Sequence, residues 1–170
     1  METNRTSLEK IIKLTKKIRG NTENFIQYVK SKIYIEKNGK LVNPEFIQLR
    51  YYDGFYYMVY LEGLPALRWT PYVVRTKDFE EFEIGLNNPF MMFDDNDKLL
   101  VHPERFSELE KARIYNAVDC NNSDVDFCDY NGKAIILYSW GNQHGVEFLA
   151  MAEYDGTLKE LLTSFFPDQG

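Results

Sequence analysis

Four carboxylates stand where side chains handle protons. Glu62 closes a run of aromatic and β-branched residues, just before Gly63-Leu64-Pro65. Asp124 and Asp126 flank Val125 near the start of a strand-like run, and the period of two puts both on one face. Glu147 lies between Val146 and Phe148. Carboxyl groups do general acid–base work when burial or a neighbouring charge keeps one of them protonated. Glu62 is therefore a candidate acid if buried, and a loop anchor if not. Asp124 and Asp126 are either site-lining carboxylates or part of an Asx turn, because Asn121-Asn122-Ser123-Asp124 is rich in turn formers.

A second constellation follows in the turn after residue 140. Trp140, Asn142, Gln143, His144 and Glu147 combine a flat apolar ring with groups that donate and accept hydrogen bonds. Such strand-end loops often carry ligand contacts. The alternative is a well-packed turn around a core Trp. Arg68 and Trp69 follow Pro65 and could face the same ligand, while Arg50 and Arg75 sit in strand-like runs and need acid partners if buried. His102 and His144 are the only histidines and have no ligand spacing around them, so no metal site is expected. No Ser-His-Asp order, glycine-rich phosphate loop or CxxC motif is present, so no cofactor is expected.

These side chains sit in a chain of 170 residues, the size of one ordinary domain. Apolar residues make up 44 % and charged residues 27 %, which excludes a collagenous or wholly disordered chain. No apolar run reaches the roughly 20 residues of a membrane span. Cys120 and Cys128 are too few for a disulfide framework, and a cytoplasmic location is the default expectation. The net charge of −6 is uneven: residues 1–40 hold 10 Lys/Arg against 4 Asp/Glu, and residues 41–170 hold 10 against 22. The basic arm reads as a solvated helix face, or as a segment that docks on the acidic body. That body makes nucleic acid an improbable partner, and no membrane partner is expected.

Residues 6–33 read as a helix pair or a kinked helix. Thr6 and Glu9 have capping-box spacing, and Leu8, Ile11, Ile12 and Ile18 recur at helical spacing. Hairpins are expected at Asn38-Gly39, Asp53-Gly54 and Asn131-Gly132. Residues 45–84 read as a four-stranded antiparallel meander. A helix is expected over 102–118 with Pro103 in its first turn, apolar on the face of Phe106, Leu109, Ala112, Ile114 and Ala117. Strands return over 123–155, and Thr157 with Glu160 caps a short final helix. LRYYDGFYYMVYLEG and FCDYNGKAIILYSWG echo one another. A repeated small antiparallel sheet is a β-propeller signature; a single mixed sheet holding two similar hairpins is the alternative.

The strings YYDGFYYMVYLEGLP, YVVRTKDFEEFE and NNSDVDFCDYNGKAIILYSWGNQHGVEFLAMAEYDGTLKELLTSFFP, in that order, resemble the C-terminal blades of bacterial five-bladed propeller glycoside hydrolases. The likeness is to glycoside hydrolase family 43 and its relatives, over roughly residues 41–168. RTKDFEEFE resembles the outer-strand motif of such blades, with Phe82 where the family has Trp. The resemblance implies a mainly β fold with helices, built as two antiparallel propeller-like blades of a partial propeller. A basic helical arm with the start of a hairpin (1–40) precedes the propeller-like domain (41–170), in which a helical insertion (102–118) separates the blades at 45–84 and 123–155. It implies a carbohydrate ligand stacked on Trp140, with hydrolysis by paired carboxylates drawn from Glu62, Asp124 and Asp126. A non-catalytic carbohydrate-binding or assembly module is the alternative. Five blades would be needed for a closed ring, so the chain reads as truncated, and a homodimer or higher oligomer is a possible partner state.

Overall fold

A computed structural model describes residues 35–37, 40–42, 45–64, 68–92, 98–100, 102–118, 120–142 and 146–167. The expected helical arm at 6–33 and the Asn38-Gly39 turn lie outside the described residues. The two strands flanking that turn, β1 (Ile35–Lys37) and β2 (Lys40–Val42), do pair antiparallel.

The next two strands, β3 (Glu45–Tyr52) and β4 (Phe55–Leu64), close through Asp53-Gly54 with φ of 51° and 85°. Asn131-Gly132 does the same at 51° and 77° between β7 (Asn121–Tyr130) and β8 (Lys133–Gly141). Two consecutive left-handed residues match the right-handed twist of a hairpin, and Asn, Asp and Gly tolerate them best. β5 (Arg68–Thr76) pairs with β4, and the two-residue β6 (Glu83–Ile84) pairs with β5. Residues 45–84 therefore form the expected four-stranded meander. β9 (Glu147–Tyr154) pairs with β8 and completes a second meander of three strands.

The meanders are not separate sheets. β5 and β7 meet in parallel at Trp69 and Asn121, which joins seven strands into one open sheet in the order β3-β4-β5-β7-β8-β9, with β6 beside β5. The two similar hairpins thus lie in one mixed sheet, joined through a single parallel bridge. The reason is local: β6 covers only Val74 and Arg75, so the Trp69 end of β5 is left to take β7.

Both meanders feed one core. Tyr57, Val59 and Val73 pack with Val125, Phe127, Ile136, Tyr138 and Trp140. The helix α2 (Leu158–Thr163) adds Leu158 and Leu162, and the tail adds Phe165 and Phe166. Each such side chain contributes about 1.5–3 kcal/mol when fully buried. The expected Thr157/Glu160 capping box starts α2, and Asp129 Oδ1 accepts from the Leu158 amide at 2.6 Å. The opposite face of the first meander has its own cluster of Met58, Tyr60 and Val74, with Phe79 and Phe82 packed on it. The Arg75 guanidinium lies over Phe55 and Phe166, at 4.3 and 4.5 Å, and pairs with Glu83 at 2.6 Å.

The helical insertion is shorter than its spacing suggests. Pro103–Arg105 make a single 3₁₀ turn, and α1 spans Glu108–Asn116 behind a Ser107/Glu110 capping box. Pro103 suits the first position of either element. The expected apolar face is also corrected, since Leu109 is 73 % exposed and only Ile114 of the helix is buried.

Candidate functional site

One end of the joined sheet collects most of the singled-out residues. Register runs from Glu62 opposite Thr70, to Trp69 beside Asn121, to Gly141 opposite both Asn121 and Glu147. That row crosses five strands. At about 4.8 Å per strand, Glu62 on β4 stands on the order of 10 Å from β7.

A continuous hydrogen-bonded network occupies the β7–β9 part of the row. Asn121 Nδ2 donates to Glu147 Oε1 at 3.0 Å and to Ser123 Oγ at 3.1 Å. Ser123 Oγ donates to Asp124 Oδ2 at 3.4 Å, and Ser139 Oγ reaches the same oxygen at 3.1 Å. Neutral side chains thus link two carboxylates, Asp124 and Glu147, through Asn121 and Ser123. Asp124 reaches this position through a β-bulge: pairing shifts between Ser123 and Asp126, and Asp124 has φ 51°. A bulge adds an unpaired residue and re-aims its side chain. Asn121, Asn122 and Ser123 are correspondingly strand residues, not members of an Asx turn, and all three are buried.

The other expected residues are placed as follows. Glu62 Oε1 accepts from the Tyr60 hydroxyl at 2.7 Å. Burial, then this bond and the charge of Glu62, push the Tyr60 phenol well above its ordinary range, so it stays a proton donor. Asp126 accepts from the Phe127 amide at 2.8 Å and lies 3.9 Å from Arg50, which supplies the acid partner that Arg50 requires. Arg68 and Trp69 are half-buried at the start of β5. Asn142 is half-buried, and its amide donates to the Val146 carbonyl at 3.0 Å. Gln143 and His144 lie outside the described residues. Trp140 needs correction as a stacking platform: it is 2 % exposed and packs against Phe148, so its ring belongs to the core. Gly141 holds the bend after it, with φ 149° and no room for a Cβ against the Val146 carbonyl.

Thr70, Asn121, Asn122, Ser123 and Ser139 are the functional candidates that sequence reasoning passed over. Thr70 Oγ1, both polar atoms of the Asn122 side chain and Trp140 Nε1 are buried without a hydrogen-bond partner among the described residues. Buried polar atoms of this kind are rare and mark strain, function or solvent. The available signal was a run of four polar residues leading directly into an apolar alternation. Among the described residues no group of three or more His, Cys, Asp or Glu is arranged to hold a metal ion. No helix among them is long and apolar enough to cross a membrane.

Arrangement and topology define an open, mainly antiparallel β-sheet protein with a polar network at one end. Among solved structures, the chain is similar to a GH43 endo-arabinanase from Bacillus licheniformis, at 14 % identity and a TM-score of 0.40, covering 72 % of this chain and 35 % of that one. It is also similar to a glycosyl hydrolase from Bacteroides ovatus, at 14 % identity and a TM-score of 0.43, covering 75 % of this chain and 36 % of that one. The chain spans about a third of the length of each of these two structures. No protein-family profile matches it, and no curated protein matches it in sequence.

Proposed function

We propose that the chain binds a carbohydrate at the sheet end formed by Asn121, Ser123, Asp124, Ser139 and Glu147. The observation that carries this reading is the hydrogen-bonded row joining two carboxylates through neutral side chains. Sugar hydroxyls donate and accept at once, and such a row offers both functions within one ligand's reach. Arg68, Trp69, Asn142, Gln143 and His144 border the same strand ends in sequence, and supply further polar and apolar contacts in this reading. The two meanders then correspond to two blades of an incomplete propeller, supported by their repeated strand–turn–strand order at an offset of about 78 residues.

Hydrolysis is the second reading, and it draws on the same two carboxylates, Asp124 and Glu147, at the ends of the hydrogen-bonded row. Inverting enzymes place their carboxyl groups about 6.5–9.5 Å apart, one protonating the leaving oxygen and the other activating water. Asp126 and Glu62 are secondary candidates, because Arg50 and Tyr60 already engage them.

Calorimetric titration against neutral oligosaccharides, arabinan fragments included, tests binding. Ser139→Ala and Glu147→Gln are expected to weaken it by at least about tenfold, or 1.4 kcal/mol. A folded wild-type chain that takes none of the sugars sinks the proposal. Hydrolysis is tested by release of reducing ends, with Asp124→Asn and Glu147→Gln each expected to cost about 10²–10⁴-fold. Release unchanged by both substitutions removes the second reading.

A further inference from the structure

The two meanders differ on their outer faces. On the second, Leu137, Leu149 and Met151 stay 38 %, 78 % and 52 % exposed. On the first, Met58, Tyr60 and Val74 are each 0 % exposed. These three point away from the shared core, to which Tyr57, Val59 and Val73 belong. A side chain on a sheet face loses all contact with water only when something lies across that face.

The described cover reaches one end of it. Tyr72, Phe79, Phe82 and Ile84 pack on the cluster. Ile84 lies beside Val74, and the Phe79 ring lies 4.6 Å from Tyr56, which pairs with Thr76. The RTKDFEEFE turn therefore sits at the Thr76 end. Tyr60 pairs with Tyr72, about 13 Å further along β4. Tyr72 is a strand neighbour of Tyr60 on the same face, not a layer above it.

The chain supplies one segment with the size and pattern of the missing layer. Leu8, Ile11, Ile12 and Ile18 recur at helical spacing, and the same spacing puts Lys10, Lys13 and Lys17 on the opposite side. A helix over residues 6–19 is about 20 Å long, as is β4 from Tyr56 to Glu62. Its diameter of about 10 Å spans the three strands β3, β4 and β5. Between this segment and β3, the edge strand of the first meander, the described elements are only the β1–β2 hairpin. The segment is thus tethered beside the face. The next longest stretch outside the described residues, 93–97, has one apolar side chain, Phe93. In stacked architectures the terminal unit carries a cap with a polar outer side.

We propose that residues 6–19 are an intramolecular cap, whose apolar stripe lies across Met58 and Tyr60 and closes the outer face of the first meander. The cap does not depend on sugar binding at the polar network, and its test reads oxidation, not ligand.

Met58 reports on the cap with no change to the body of the protein. Sulfoxide formation in dilute peroxide is followed residue by residue by mass spectrometry, with the exposed Met151 as internal standard. In the wild-type full chain, Met58 is expected to react at least about tenfold more slowly than Met151, at a rate that dilution of the protein leaves unchanged. Ile11→Asp with Ile12→Asp is expected to speed Met58 at least about tenfold and to leave Met151 as it was. Lys13→Asp with Lys17→Asp, on the other side of the helix, is expected to change neither. Near-ultraviolet circular dichroism checks that the core stays folded, and the milder pair Ile11→Ala with Ile12→Ala replaces the first pair if it does not. A Met58 rate unmoved by the isoleucine pairs overturns the proposal in favour of a cover from the body. A wild-type rate that rises on dilution overturns it in favour of a cap from another copy. A lysine pair that frees Met58 as fully as the isoleucine pair overturns the apolar contact.

Discussion

The two meanders have the same strand–turn–strand plan and opposite surroundings. In the first, residues 57–61 of β4 are buried in succession, because one face feeds the shared core and the other carries the Met58, Tyr60 and Val74 cluster. In the second, alternation is plain: β8 buries Ala134, Ile136, Tyr138 and Trp140 and turns Ile135, Leu137 and Ser139 outward. A strand covered on both sides is fixed by packing from two directions. One covered on a single side has a surface left over for something else. The first meander is thus the scaffold, and the second carries the polar network and the open apolar face.

The largest test of that contrast replaces Met58 and Leu149 separately by Ala. Met58→Ala leaves a cavity at a fully buried site and is expected to cost about 2–5 kcal/mol in urea unfolding. Leu149→Ala is expected to stay within about 0.5 kcal/mol. Equal costs would break the comparison, because they would mean the outer face of β9 is covered in solution.

A smaller effect compares two tyrosines. Tyr60 is fully buried and donates to Glu62, whereas Tyr130 is exposed at the end of β7. Tyr60→Phe removes the donor and leaves the carboxylate short of a partner, at an expected cost of about 1–3 kcal/mol. Tyr130→Phe is expected to change unfolding by under about 0.5 kcal/mol. Matching losses in thermal melting would mean that the phenol of Tyr60 reaches water after all.

Asn122 gives a test with the opposite sign. Its carboxamide is buried with no partner among the described residues, so Asn122→Leu removes a desolvated polar group. The expected change is a gain of about 1 kcal/mol in the free protein. If the group serves a ligand, the same variant loses sugar binding while its melting temperature rises. A destabilised variant would show that ordered water or further contacts satisfy the carboxamide.

How far the fold could be read in advance follows from which constraints are local. Asp53-Gly54 and Asn131-Gly132 were readable, because a left-handed pair needs residues of those types wherever it occurs. The capping box at Thr157 and Glu160 was readable for the same reason. The join between Trp69 and Asn121 was not, since a parallel contact between residues 52 positions apart leaves no mark on either neighbourhood. Asn121-Asn122-Ser123 looked like a turn because turn-forming types were weighed without their burial. The bulge that makes them strand residues is set by pairing with β8. At α1 the spacing of Leu109 misled: the periodicity is present, but only Ile114 and Ala117 of that set are buried and Leu109 stays 73 % exposed. Of the site, Asp124 and Glu147 were visible as chemistry-bearing types, while the asparagine and serines that link them had no spacing to announce them.

The smallest predicted effect lies in the RTKDFEEFE turn and depends on pH. Asp78 Oδ1 accepts from the amides of Glu80 and Glu81 at 2.9 and 3.1 Å, and these bonds hold its carboxyl below the ordinary value of 3.8. A depressed folded-state pKa contributes stability that is fully present above the unfolded value. It is lost as the pH falls through the folded value. The group sits at the surface, so solvent limits the contribution to about a few tenths of a kcal/mol. Urea unfolding of wild type and Asp78→Ala is therefore expected to differ most near neutrality and to converge below about pH 4. The pH-dependent part of that difference isolates the carboxylate from the packing of Phe79 and Phe82, which the same turn places on the first meander's second cluster. A difference that stayed constant through the acid range would mean that Asp78 acts through turn shape alone. The doubly covered scaffold would then owe nothing to charge at that corner.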